Sequence, residues 1–215
     1  MRTAIFGGTF DPIHSAHLVV AREAAEAFAL DRVLFIPAAN PPHKEAGAPY
    51  EDRFRMVELA CAADPRFHPS RLEEGREKSY SILTIERLRA PEARTGPSVV
   101  RAGSVEARTG PSVVRAGSVE DALFFIIGAD AFADIRSWRR WEDVLREVEF
   151  IVVTRPGHVY DSPPGARVCR LETIALPVSS SEIRQELSQG LTPAHLPPAV
   201  AEYIQARGLY RSSQV

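Results

Sequence analysis

The sequence predicts an α/β protein, a Rossmann-like open parallel sheet with helices on both faces and a small C-terminal helical part. Three observations predict it. Short β-prone runs alternate along the chain with segments whose apolar residues recur at helical spacing. Two of those runs, Leu123–Ile127 and Phe150–Val153, are apolar without a break, as strands covered on both faces are. The first run ends at Gly7 and Gly8 directly before a helical segment, the strand, turn and helix of a parallel crossover unit.

Taken in order, Arg2 to Phe6 is the first strand, and Leu18, Ala21, Ala25 and Phe28 mark a helix over about 15–29. Val33 to Ile36 is the second strand, followed by a Pro-rich loop from Pro37 to Pro49. Phe54, Val57, Ala60 and Cys61 then form the inward face of a helix, and another helix is expected around Ser81 to Leu88. Leu123–Ile127 is a buried strand, a helix follows Trp141, and Phe150–Val153 is a further strand. An apolar stretch leads to VSSSEIR, which opens a helix that Gly190 can end. Ligands of such sheets lie beyond the carboxyl ends of the strands, so the site is expected at the loops after residues 6, 36, 127 and 176. The whole chain, 1–215, reads as one domain with 178–215 as its C-terminal helical part.

One stretch stands apart. EARTGPSVVRAGSV, Glu92 to Val105, recurs letter for letter from Glu106 to Val119. Solenoid repeats run to roughly 20 residues or more and need about three copies to share a core, so two short copies read as a tandem duplication in a surface loop.

Composition narrows the function classes. With 26 Lys and Arg against 28 Asp and Glu, a net charge of -2 offers no general attraction to nucleic acid or an anionic membrane. No apolar run approaches the roughly 18 residues of a membrane span, and the amino terminus enters a strand without a charged leader, so the cytoplasm is expected. Cys61 and Cys169 are too few and too far apart for a disulfide framework or a metal cluster, and both read as packing residues. Homo-oligomer formation is left open.

The chemistry concentrates in two motifs. In GGTFDPIHSAHL, Gly7 to Leu18, paired glycines allow close backbone approach and the following helix presents free amides and a positive dipole end, the outline of a phosphate cradle. His14 and His17, three apart, share a side of the helix start, where ring N–H groups can donate to phosphate oxygens. A metal is the competing use of two such histidines, but no third ligand stands nearby, and none is expected. In VSSSEIR, Ser179 and Glu182 have capping-box spacing, which needs no ligand, whereas Ser180, Ser181 and Arg184 remain as a second group suited to phosphate.

Both motifs resemble those of the nucleotidylyltransferase superfamily, GGTFDPxHxGH near the amino terminus and ISSTxIR near the carboxyl terminus. Within it the chain is similar to bacterial nicotinate mononucleotide adenylyltransferases, through NPPHK at Asn40 to Lys44, DRFRMVELA, KSYSILTIERL, FIIGADAF, SWRRWEDVL and LPPAVAEYIQARGLY. The resemblance implies adenylyl transfer from ATP, with magnesium, to nicotinate mononucleotide. It implies that His14, His17, Lys44, Ser180, Ser181 and Arg184 hold the ATP phosphates, that Gly128 and Asp130 contact the nucleotide, and that Asn40, Lys44, Ser81 and Trp138 surround the acceptor. Gly7, Gly8, Thr9 and Phe10 are likewise expected to bind ATP. Sibling acceptors, nicotinamide mononucleotide and phosphopantetheine, and a non-catalytic nucleotide sensor are the alternatives. Departures are Ala16 for the glycine of HxGH, Ser81 and Ser181 for threonines, and Leu83 for an aspartate.

Overall fold

Residues 1–41, 46–75, 78–90, 122–173 and 178–211 are described by the computed structural model. The 92–119 duplication, Lys44 and residues 174–177 therefore lie outside the described residues.

The strands are β1 (Arg2–Gly8), β2 (Arg32–Pro37), β3 (Phe67–Pro69), β4 (Ala122–Gly128), β5 (Glu149–Thr154) and β6 (Val168–Glu172). Every pairing is parallel, in the order β3-β2-β1-β4-β5-β6. Consecutive strands run outward from β1 to β3, and the chain then returns to lay β4 on the other side of β1. The β1/β4 seam is thus the switch point where such sheets open a crevice.

Alternating residues of each central strand enter opposite cores, which is why these runs had to be apolar throughout. Ala4, Phe124 and Ile126 pack with one set of helices, while Ile5, Phe125 and Ile127 pack with the other. On the first face lie α1 (Ser15–Ala27), α2 (Tyr50–Cys61), α6 (Ser180–Ser188) and α7 (Pro198–Arg207), through Ala21, Met56, Val57, Ile183, Val200 and Ile204. On the second lie α3 (Ser81–Arg89), α4 (Ala129–Ala133) and α5 (Trp141–Glu147), through Ile82, Ile85, Phe132 and Val144. The C-terminal helices share the first core with α1 and α2. Cys61 is buried in that core, and desolvation pushes its thiol up to about 12, as a packing residue requires.

The expected elements are present with ends shifted by a residue or two. The sixth strand, Val168–Glu172, was not foreseen, and the site loop expected after residue 176 begins within residues 174–177, outside the described residues. Its pattern, VCRLE, alternates because β6 is an edge strand with one half-exposed face, and such a run carries a weaker signal than β4. The three-residue β3 and the short α4 were too brief for periodicity to reveal. Among the described residues, no helix is long and apolar enough to cross a membrane.

Candidate active site

The turn after β1 is held by close contacts rather than by glycine alone. A side chain at Gly8 would meet the Phe10 ring at 3.1 Å, and Phe10 itself is buried with a φ of 48°, a conformation uncommon outside glycine. Thr9 contributes its carbonyl, which accepts from Arg53 Nη1 at 2.8 Å. The same guanidinium donates to the carbonyls of Ala38 at 2.8 Å and, through Nε, of Ala48 at 3.1 Å. Arg53, 1% exposed, thereby ties the loop after β1 to the loop after β2.

His14 and His17 stand at the start of α1 with ring centroids 3.8 Å apart. The backbone N–H of His14 donates to His17 Nδ1 at 3.2 Å, which leaves the proton of a neutral His17 ring on Nε2. Burial holds His14 down to about 4, with His195 adding to the effect. Burial, then His14, likewise keeps His17 well below the ordinary imidazole range. Both rings are neutral donors at neutral pH. Phe6 and Phe10 pack edge-on against His17 at 6.0 and 5.1 Å and fix its plane. Ala16, in the first turn of α1, is half-buried.

The second motif folds onto the first. Ser179 and Glu182 form a reciprocal cap, Glu182 N–H donating to Ser179 Oγ at 3.2 Å and Ser179 N–H to Glu182 Oε2 at 2.8 Å. Ser180 Oγ donates to the Pro12 carbonyl at 3.0 Å, and Arg184 Nη1 donates to the Asp11 carbonyl at 2.6 Å. Arg184 Nη2 also reaches Ser181 Oγ at 3.3 Å, and Nη1 lies 3.6 Å from Asp11 Oδ2. The starts of α1 and α6 therefore converge across residues 11–14.

Asp11 is the knot of this arrangement, and sequence reasoning passed over it. It is 3% exposed and accepts from Gly47 N–H at 2.6 Å, Ala48 N–H at 3.1 Å and the Tyr210 hydroxyl at 2.7 Å. Its position inside GGTFDP was the available signal. Nothing local in the sequence announced the contacts of Arg53 with Thr9 and of Tyr210 with Asp11, because these partners lie 44 and 199 residues away.

A pocket of about 240 Å³ opens at the carboxyl ends of β1 and β4. Gly7, Gly8, Gly128, Ser81 and Trp138 line it, so five of the expected site residues meet there. Trp138 packs against Phe125 at 5.7 Å in edge geometry. Asn40 is exposed at its rim, exchanging backbone and side-chain bonds with Ser79 at 3.2 and 3.3 Å. Asp130 is fully exposed in the first turn of α4, 3.9 Å from His158 Nε2. His14, His17, Ser180, Ser181 and Arg184 stand at the starts of α1 and α6 and do not line this pocket.

Comparison with known proteins gives a consistent picture. A family profile described as cytidylyltransferase-like matches residues 5–186. A protein of Solibacter usitatus named "Probable nicotinate-nucleotide adenylyltransferase" is 54% identical over 98% of this chain and all of its own length. A Thermus thermophilus protein of the same name is 40% identical over 98% of this chain, again spanning all of its own length. Among solved structures, the Plasmodium falciparum nicotinic acid mononucleotide adenylyltransferase complexed with NaAD superposes with a TM-score of 0.71 at 19% identity, covering 97% of each chain, a likeness of fold.

Proposed function

Because the chain belongs to the cytidylyltransferase-like family, and within it to the nicotinate-nucleotide adenylyltransferases, we propose that it transfers the adenylyl group of ATP to nicotinate mononucleotide. The products are nicotinate adenine dinucleotide and pyrophosphate, a step of NAD biosynthesis. The observation that carries this reading is the joining of two distant helix starts, through Ser180 to Pro12 and Arg184 to Asp11, beside a pocket bearing Trp138 and Ser81.

In this reading a phosphate oxygen of the acceptor attacks the α-phosphorus of ATP in line, one P–O bond forming as the bond to pyrophosphate breaks. The attacking oxygen is already anionic, so the chain needs no nucleophile and no general base. Its contribution is positioning and charge stabilisation. Neutral His14 and His17 donate to phosphate oxygens without a charge that burial would penalise. Ser180, Ser181 and Arg184 hold the same row of phosphates, and Lys44 adds its charge. Gly128 and Asp130 contact the nucleotide of ATP, while Asn40 and Ser81 surround the acceptor and Trp138 offers its face to the pyridine ring.

Magnesium fits as a companion of the nucleotide. Among the described residues no group of three or more His, Cys, Asp or Glu side chains could hold a metal ion, so its ligands would be phosphate oxygens and water, and it would neutralise triphosphate charge.

Steady-state pyrophosphate release with ATP and each of nicotinate mononucleotide, nicotinamide mononucleotide and phosphopantetheine tests the reading. The highest kcat/KM is expected with the nicotinate nucleotide. Preference for another acceptor would reassign the enzyme to a sibling activity, and ATP binding with no release from any acceptor would make it a sensor.

A further inference from the structure

Glu73 lies in the wall of the β1/β4 pocket, and neither sequence motif accounts for it. It is 9% exposed, and Oε1 accepts the Thr84 hydroxyl at 2.7 Å from α3. Oε2 is shielded from water and has no hydrogen-bond partner among the described residues. A buried carboxylate oxygen left unpaired is costly and calls for a donor that the described residues do not supply. Glu73 lines the pocket, and the terminal torsion of a glutamate is soft, so its carboxylate can turn to meet a donor placed there.

The chemistry of the acceptor limits what that donor can be. Nicotinate mononucleotide carries a carboxylate and a phosphate, which only accept, and a pyridinium nitrogen bonded to ribose, which carries no hydrogen. Its ribose hydroxyls are its conventional donors. We propose that Glu73 binds the acceptor nucleotide through its ribose, Oε2 accepting a hydrogen bond from one of the two free hydroxyls. The inference rests on the adenylyl-transfer reading and deepens it by naming a determinant of acceptor binding.

The test replaces Glu73 by Gln, which keeps a carbonyl for Thr84 and turns an N–H donor toward the pocket. KM for nicotinate mononucleotide is expected to rise about tenfold or more, with KM for ATP unchanged. Acceptors lacking the 2′- or the 3′-hydroxyl supply the second arm. Wild type should lose about tenfold with one of them, and E73Q should lose nothing further with that same acceptor. Glu73→Asp, which withdraws the carboxylate by one methylene, should reproduce the acceptor-specific effect and serves if the Gln variant does not fold. Equal use of both deoxy acceptors by wild type would overturn the inference without any variant. So would a rise in both KM values together, or a changed preference between nicotinate and nicotinamide nucleotides, which would put the contact at the base. Wild type with no turnover on nicotinate mononucleotide would overturn the adenylyl-transfer reading and this inference with it.

Discussion

His14 and His17 illustrate how a residue's surroundings choose its chemistry. Packed at 3.8 Å and largely out of water, neither ring charges readily, and both stay neutral at neutral pH. Replacing His17 by Ala should leave the protein folded and lower kcat about 100-fold or more, the loss expected for one preorganised donor. A variant within threefold of wild type would remove His17 from the mechanism. His14 also links stability to pH. Its folded value, near 4, lies below the unfolded value of 6.5, so the unfolded chain binds the extra proton between them. Stability is full above pH 6.5 and falls as pH drops toward 4, by about 3 kcal/mol for this group. Urea unfolding of the ligand-free protein at pH 7 and pH 4.5 checks this, and His14→Gln should flatten the difference. An undiminished difference would mean that other groups cause it.

At the scale of elements, the site depends on loops that no strand or helix holds by itself. Arg53 projects from α2 and satisfies carbonyls of Thr9, Ala38 and Ala48, joining the ends of β1 and β2. A buried guanidinium can often be replaced by an apolar group of like volume at small cost. Here its partners are backbone carbonyls that cannot be removed with it, so the cost should prevail. Arg53→Met is expected to destabilise by about 3 kcal/mol and to raise KM for both substrates. A shift in unfolding free energy below about 0.5 kcal/mol would show that water or a local rearrangement satisfies those carbonyls. The strands and helices that carry the loops were legible from periodicity, because burial on two faces forces unbroken apolar runs in β4 and β5. The exposed edge strand β6 was not, for the same reason in reverse.

The molecule as a whole is closed by the turn that follows α7. Tyr210, beyond α7, donates to Asp11 Oδ1, so the carboxyl end of the chain braces the loop of the first motif. Burial, and then the Asp11 carboxylate, push the phenol pKa up and keep it a donor. Tyr210→Phe preserves the ring and deletes that donor, and should cost about 1 to 2 kcal/mol, seen as a lower urea midpoint with an unchanged slope. An unaltered midpoint would reduce the contact to packing. The sequence by itself determined the sheet class, the family and the position of two motifs at helix starts, because local spacing and residue type record which faces are buried and where helices begin. Only the tertiary structure decided that Asp11 is shared by Arg184, Gly47, Ala48 and Tyr210, that Arg53 bridges two loops, and that Glu73, beside the pocket, keeps an oxygen unpaired among the described residues. Those pairings join residues far apart in the chain, and a hydrogen bond between distant side chains leaves no period in the sequence from which it could be read.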